Sequence, residues 1–375
     1  MQKIIGLVHT RFSPTGGVEN YINKLIPTLL ERNWLIHYFT AKIQQPVSAG
    51  MIIHKIPVVR GTSVTRMLSF AYGARRAVQR AHLPMVMGFG RSIYQDIYRD
   101  GSGCFLDYEK HAGKRFNRLY RRSYLHLERK RYADTRLQRV ITVSQMVKDQ
   151  IQNRYHVPSE KMKVIYSGVD ARRLNPELKK RKNEFKMQLK IPEEALTVLF
   201  VGNGFERKGL KLLIEAASYL PADLPFVVII AGRDKRTDHF RNLAMNSGCL
   251  ERFRFLGYQS QIGDLYGAAD LFVLPSFFDP FANVVLEALY SGTPVITTAQ
   301  VGASEFVRHG INGFILPRPK SDALAEAILE FYATDHKEKM SEEAHRAAAA
   351  CRWDLHVDDM EGLFLEILEQ HRRPQ

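Results

Sequence analysis

The chain has 375 residues, 45% of them hydrophobic and 25% charged, a size that favours two cores over one in an ordinary globular protein. Three scattered cysteines, Cys104, Cys249 and Cys351, argue against a disulfide framework or a structural zinc site and for a reducing compartment. The net charge of +15 is confined to one half: residues 1–170 carry 28 Lys/Arg against 11 Asp/Glu, and residues 171–375 carry 26 against 28.

IIGLVHT (4–10) is too short for a signal peptide's apolar core and predicts a first strand. It precedes a Gly-Gly turn and a helix over 18–33. Strands at 35–40 and 51–59, a helix around 65–81 and a strand at 84–90 follow. RVITVS (139–144) opens a helix to about 155, and 163–170 ends the first half. A second series runs through strands at 196–203, 226–234, 253–257, 270–276 and 293–298, with helices at 208–219, 236–247 and 283–291. WDLHVDDMEGLFLEILEQ (353–370) reads as an amphipathic helix. Short β and α segments alternating in both halves predict two parallel-sheet domains, with the basic stretch ARRLNPELKKRKNEF (171–185) as linker. No stretch approaches the roughly 20 apolar residues of a membrane span. The expected location is therefore the cytoplasm, or a membrane surface met from the cytosolic side.

Residues 110–139 hold 11 basic and 2 acidic residues, interleaved with Phe116, Leu119, Tyr120, Tyr124, Leu125 and Leu127. Such a face suits an anionic membrane surface or a phosphorylated ligand; nucleic acid feels the same field, and a plain solvated helix face carries the same pattern. Against nucleic acid, no helix-turn-helix or RNP pattern is present. Three turns sit where parallel sheets collect ligands: PTGGVE (14–19), VGNGFERKG (201–209) and PSFFDPFAN (275–283). None is a GxGxxG fingerprint or a P-loop. His9, His37 and His54, on or near strands, read as packed or surface histidines. Asp279 stands just outside an apolar strand, and Glu287 lies eight residues later among Val284, Val285, Leu286, Ala288 and Leu289.

In order, GGVE, YSGVD, VGNGFERKG, AGRDK, LYGAADLFVLPS and DPFANVVLEALYSGTPV resemble the retaining family 4 glycosyltransferases of the GT-B fold, over nearly the whole chain. Within that family the pattern is most similar to the lipopolysaccharide core glucosyltransferases. The resemblance implies two Rossmann-like domains facing a cleft: an acceptor-binding domain at 1–170 and a nucleotide-sugar domain at 171–352. A C-terminal helix, 353–375, returns to the first. The family's E-x7-E motif stands here as D-x7-E. Glu287 is then expected to accept hydrogen bonds from the ribose hydroxyls, and Asp279 to hold the donor sugar. The N–H groups of Phe281, Ala282 and Asn283 are expected to approach the sugar or phosphate. Arg207, Lys208 and Arg173 are the expected cations at the diphosphate, whose growing charge they would stabilise. Asn203 stands where many relatives carry an arginine. Gly16 and Gly17 match a loop that passes close to the phosphates. Asp100, where many relatives place a histidine, matches an acceptor-side acid; a turn-forming aspartate before Gly101 is its rival reading. No DxD motif occurs, so no metal or other cofactor is expected.

The implied activity is retaining transfer of a hexose, glucose for choice, from a UDP-sugar to a lipopolysaccharide inner-core sugar. Another lipid-linked acceptor, capsular or exopolysaccharide, is the alternative, and a non-catalytic basic binding protein lies outside the enzyme class. The expected partners are a nucleotide sugar, a glycolipid acceptor and, through residues 110–139, the anionic surface of the inner membrane.

Overall fold

The computed structural model describes residues 3–111 and 115–371; Ala112, Gly113 and Lys114 of the basic stretch, and the outermost residues of the expected domains, lie outside that range. The chain divides into two compact units. The first holds the described residues up to Tyr166, His111 apart, together with those from His356 on; the second holds Ser167–Leu355.

The first unit is built on a seven-stranded sheet, every pair parallel. Its order is Met51–Lys55, Trp34–Thr40, Lys3–Val8, Val86–Phe89, Ile97–Asp100, Arg139–Thr142, Met162–Val164. The second unit has a six-stranded parallel sheet in the order Phe253–Gly257, Phe226–Ala231, Leu196–Val201, Leu271–Leu274, Val295–Thr298, Gly313–Leu316. Its central strands are continuous apolar runs, buried throughout from Phe226 to Ala231 and from Leu271 to Leu274. A parallel sheet covered on both faces requires that pattern. In each sheet the strand order reverses beside the first strand of its series. The reversal lies between Lys3–Val8 and Val86–Phe89 in one unit, and between Leu196–Val201 and Leu271–Leu274 in the other. Loops leaving the carboxyl ends there have no crossover helix above them.

Two sequence expectations are corrected. Residues 171–185 are not a linker. Pro176–Arg181 forms a 3-10 turn, Lys182–Gln188 a helix, and Phe185 is 2% exposed. The lysines that look like linker composition close the end of the helix Ile262–Ala268: Lys179 Nζ donates to the Tyr266 and Ala269 carbonyls, and Lys182 pairs with Asp270. Lys186 Nζ lies 2.8 Å from the Glu193 and Ala195 carbonyls. Cations at a helix C-terminus offset its unpaired carbonyls. Burial depresses the Lys179 pKa to about 7 despite the nearby Asp270.

The other correction concerns the basic stretch 110–139; ahead of it, where the sequence pattern indicates no element, Ile97–Asp100 is a buried strand and Phe105–His111 a helix. The basic helix spans Arg118–Tyr132. The aromatic residues of the basic stretch are not free anchors, because Phe116, just before this helix, and Tyr124, on it, pack on Phe105 with ring centroids 5.1 and 4.5 Å away. Leu127 is buried, whereas Leu119 is 63% exposed.

The helix Trp353–Gln370 contributes its larger part to the first unit. Glu361 accepts hydrogen bonds from Lys3 (2.9 Å), Arg32 (2.7 Å) and Trp34 (2.8 Å). His356 Nδ1 lies 2.6 Å from the Tyr166 carbonyl, which can only accept, so Nε2 accepts from the Tyr21 hydroxyl at 3.0 Å. Burial, with the Arg99 charge added, lowers the His356 pKa to about 3, so the ring is neutral.

Candidate active site

In the second unit, the loops after Leu196–Val201 and Leu271–Leu274 lock onto each other at the reversal of strand order. The Arg207 carbonyl accepts from the Phe277 N–H (2.9 Å) and the Ser276 hydroxyl (3.0 Å). Gly209 makes the approach possible: its φ is +81°, and a Cβ there would lie 2.1 Å from the Pro275 carbonyl oxygen. The loop after Val295–Thr298 joins them, with Asp279 N–H donating to Gln300 O and Gly302 N–H to Asp279 O.

This frame brings together residues 71 and 72 positions apart. Lys208 Nζ lies 2.5 Å and Arg207 Nη1 3.0 Å from Asp279 Oδ2. Arg207 Nη1 also donates to the Phe278 carbonyl (2.6 Å), and the Phe281 N–H reaches Asp279 Oδ1 (3.2 Å). The Lys208 and Asp279 side chains are 9% and 12% exposed, and that of Arg207 is 28% exposed. Burial would raise the Asp279 pKa; Lys208 and Arg207 outweigh it and hold the carboxyl at about 2. Two cations therefore share one carboxylate, leaving a surplus positive charge at the carboxyl ends of the strands.

Ala282 stands at the start of the helix Asn283–Tyr290 with φ 62° and ψ 77°, a left-handed conformation unusual for a residue with a Cβ. That turn sets the direction in which the helix begins. Asn283 is exposed there. One turn on, Glu287 is half-buried and its Oε2 accepts from the Tyr266 hydroxyl at 3.1 Å. Tyr266 also reaches the Val284 carbonyl at 3.2 Å. Burial raises the tyrosine's pKa, and Glu287 raises it further. Tyr266, inside the LYGAAD segment, thus supports Glu287, a role that no spacing in the sequence signals.

Other expected residues take different partners. Asn203 is exposed and its Oδ1 accepts from the Arg233 N–H (2.8 Å). The Arg173 guanidinium donates to the Ser260 carbonyl at 2.6 Å. Arg233 lies over the Tyr258 ring at 5.0 Å, beside a cavity of about 270 Å³ lined by Phe205, Gly232, Thr237, Arg241, Phe255 and Gly257. Among the described residues, no cluster of three or more His, Cys, Asp or Glu is arranged to hold a metal.

Gly16, Gly17 and Asp100 belong to the first unit. Asp100 is 2% exposed; its Oδ1 accepts from the Ser102 (2.9 Å) and Gly103 (2.8 Å) N–H groups, and its Oδ2 from the Tyr132 hydroxyl (2.7 Å). That is the hydrogen-bond pattern of an aspartate closing a turn.

A model of the family Glycosyltransferase Family 4 matches residues 15–173, and one of Glycosyl transferases group 1 matches residues 181–348. The chain belongs to the group 1 and family 4 glycosyltransferases. Lipopolysaccharide glucosyltransferase WaaG of Escherichia coli (strain K12) is 22% identical over 344 residues, which cover 90% of this glycosyltransferase and 91% of WaaG. Lipopolysaccharide core biosynthesis glycosyltransferase LpsE of Rhizobium meliloti (strain 1021) is 33% identical over 159 residues, 42% of this chain and 46% of LpsE. The chain spans about half the length of several curated relatives it matches. A crystal structure of WaaG superposes with a TM-score of 0.81 at 20% identity, covering 99% of this chain and 100% of that one. Anabaena HepE in complex with UDP-glucose gives 0.73 at 19% identity, with 97% and 99% covered. At these identities the superpositions show the fold, two Rossmann-like parallel-sheet domains of the GT-B type.

Proposed function

We propose that this glycosyltransferase moves a hexose, glucose, from a UDP-sugar to a lipopolysaccharide inner-core sugar, with retention at the anomeric carbon and without a metal. The observation that carries the donor side is the Arg207–Lys208–Asp279 cluster at the reversal of the second unit's sheet, followed in the chain by the helix Asn283–Tyr290 that carries Glu287 one turn from its start. The names of WaaG and LpsE support the acceptor class, and the UDP-glucose complex of HepE supports the donor.

In this reading Glu287, oriented by Tyr266, accepts hydrogen bonds from the ribose hydroxyls. The surplus charge of Arg207 and Lys208 faces the diphosphate and stabilises the negative charge that grows on it as the glycosidic bond breaks. Asp279 fixes both cations through Oδ2 and leaves Oδ1 near the donor sugar. Phe281, Ala282 and Asn283 present the start of their helix, and Arg173 and Asn203 border the diphosphate. The leaving phosphate oxygen takes the proton of the acceptor hydroxyl on the same face, so no carboxylate nucleophile is required. The first unit receives the acceptor, with Asp100 shaping the loop that meets it.

Thermal-shift titration and UDP-glucose hydrolysis test the donor reading. UDP is expected to stabilise the wild type, and Glu287→Ala is expected to abolish both responses; an unaltered response in that variant overturns it. Added EDTA is expected to leave turnover unchanged. Membrane attachment is part of the same proposal: Arg118, Arg121 and Arg122 are exposed on the basic helix. Replacing all three by glutamine is expected to weaken binding to anionic liposomes while UDP binding persists. Equal liposome binding by the variant counts against the attachment.

A further inference from the structure

The helix Ile262–Ala268 is seven residues long, so most of its carbonyls lie in the last turn, where the helix itself supplies no donor. Two side chains from elsewhere reach the Tyr266 carbonyl: Lys179 Nζ at 2.9 Å and Thr293 Oγ1 at 3.3 Å. Lys179, half-buried, also donates to the Ala269 carbonyl. The next residue, Gly267, lies against the Phe185 ring, and a Cβ there would stand 2.7 Å from a ring carbon. The main chain at Tyr266 is therefore held by the segment 176–188 and by Thr293.

The Tyr266 side chain is 0% exposed, and a ring packed that closely moves only with its backbone. Its hydroxyl reaches the Val284 carbonyl at 3.2 Å and Glu287 Oε2 at 3.1 Å. It thus meets both the main chain of the helix Asn283–Tyr290 and the carboxylate that the helix carries. A displacement of about 1 Å at the end of Ile262–Ala268 would take either contact out of hydrogen-bond range. Keeping an ammonium at that end is costly: burial lowers the Lys179 pKa, Asp270 opposes the fall, and Lys182 and Lys186 add to it. A surface lysine offsets helix carbonyls without that cost, whereas an inward one also fixes where they stand.

We propose that Lys179 is a positioning residue for the nucleotide: by anchoring the Tyr266 carbonyl it places the hydroxyl that holds Glu287 toward the ribose. The proposal rests on the donor reading of Glu287 and extends it to a residue of the segment that looks like a linker. Lys179 touches no substrate; it acts through Tyr266.

The full-length wild type is compared with Lys179→Met, Tyr266→Phe and the double variant. Calorimetry measures the Kd of each for UDP and for 2′-deoxyuridine diphosphate, which lacks one of the ribose hydroxyls. In the wild type the deoxy nucleotide is expected to bind about tenfold or more weakly, the scale of a lost hydrogen bond to a charged partner. Lys179→Met and Tyr266→Phe are each expected to shrink that ratio at least about threefold, and the double variant no further than Tyr266→Phe alone, because residues acting in series are not additive. A purely structural lysine would weaken both nucleotides equally and leave the ratio intact; that result in Lys179→Met overturns the proposal, as does a double variant in which the two effects multiply. Lys179→Gln, a smaller change with the same expected direction, keeps the test decisive if the methionine variant does not fold, and a wild-type ratio in it overturns the proposal equally. A wild type that binds no UDP, or binds both nucleotides alike, overturns the donor reading of Glu287, a separate result.

Discussion

Charge in the two units of this chain is arranged in opposite ways. The first half of the sequence carries the whole positive excess, yet buried carboxylates of the first unit are each ringed by several donors. Asp100 meets Ser102, Gly103 and Tyr132, and Glu361 meets Lys3, Arg32 and Trp34. The second half of the sequence is close to neutral, but at its sheet reversal two cations compete for one carboxylate. Bulk charge thus marks a surface, whereas a local mismatch of partners marks a site. The first is averaged over many exposed side chains and screened by salt; the second is held in a buried frame where screening is weak.

The largest expected effect breaks that mismatch. Lys208→Met leaves Asp279 with Arg207 alone and removes the surplus charge; turnover of a UDP-sugar is expected to fall about 10²–10³-fold, the range for losing one preorganised group at developing charge. Steady-state kinetics beside a melting curve will check it, and activity within threefold of wild type would show that the diphosphate is held elsewhere. Asp100→Asn comes next. It keeps the turn's acceptor but removes the charge opposite Tyr132. A turn-former predicts a modest loss of stability, about 1 kcal/mol, with transfer largely retained. A group acting directly on the acceptor predicts the reverse, and denaturant melts with acceptor kinetics separate the two.

An acid titration sharpens the comparison from the stability side. The folded pKa of His356, about 3, lies below the ordinary 6.5, so its contribution is fully present above pH 6.5 and is lost as the pH falls toward 3. His356→Gln is expected to flatten stability across that window. Asp279, Glu19 and Glu361, all held at about 2, act lower, where stability falls from near pH 4.5 downward. Denaturant melts at several pH values resolve the two ranges, and an unchanged profile in His356→Gln would refute the assignment. The smallest effect belongs to Ala282→Gly. It relieves the left-handed φ but loosens the unfolded chain, and a net change within about 1 kcal/mol is expected.

Much of the fold was legible because parallel strands buried on both faces are continuous apolar runs, as FVVIIA and LFVL are. What escaped were elements whose polar residues are buried. Ile97–Asp100 reads as IYRD, and only in the structure do Arg99 and Asp100 acquire their surroundings. The lysines of 179–186 look like a solvated linker until the carbonyls they cap come into view. At the site, the identities of Arg207, Lys208, Asp279 and Glu287 came through the family resemblance. Their mutual pairing did not, since a contact across 71 residues leaves no periodic trace.

The helix Trp353–Gln370 also bears on how the molecule can be divided. Because residues from His356 onward complete the first unit, a fragment ending at Tyr166 would leave Trp34 without Phe364 and Glu361, and Tyr21 without His356. Cutting the gene in two at residue 166 would therefore yield a defective front half. A permuted chain, with its new start at Ser167 and the old ends joined by a tether, would instead make each compact body contiguous with the segment it depends on.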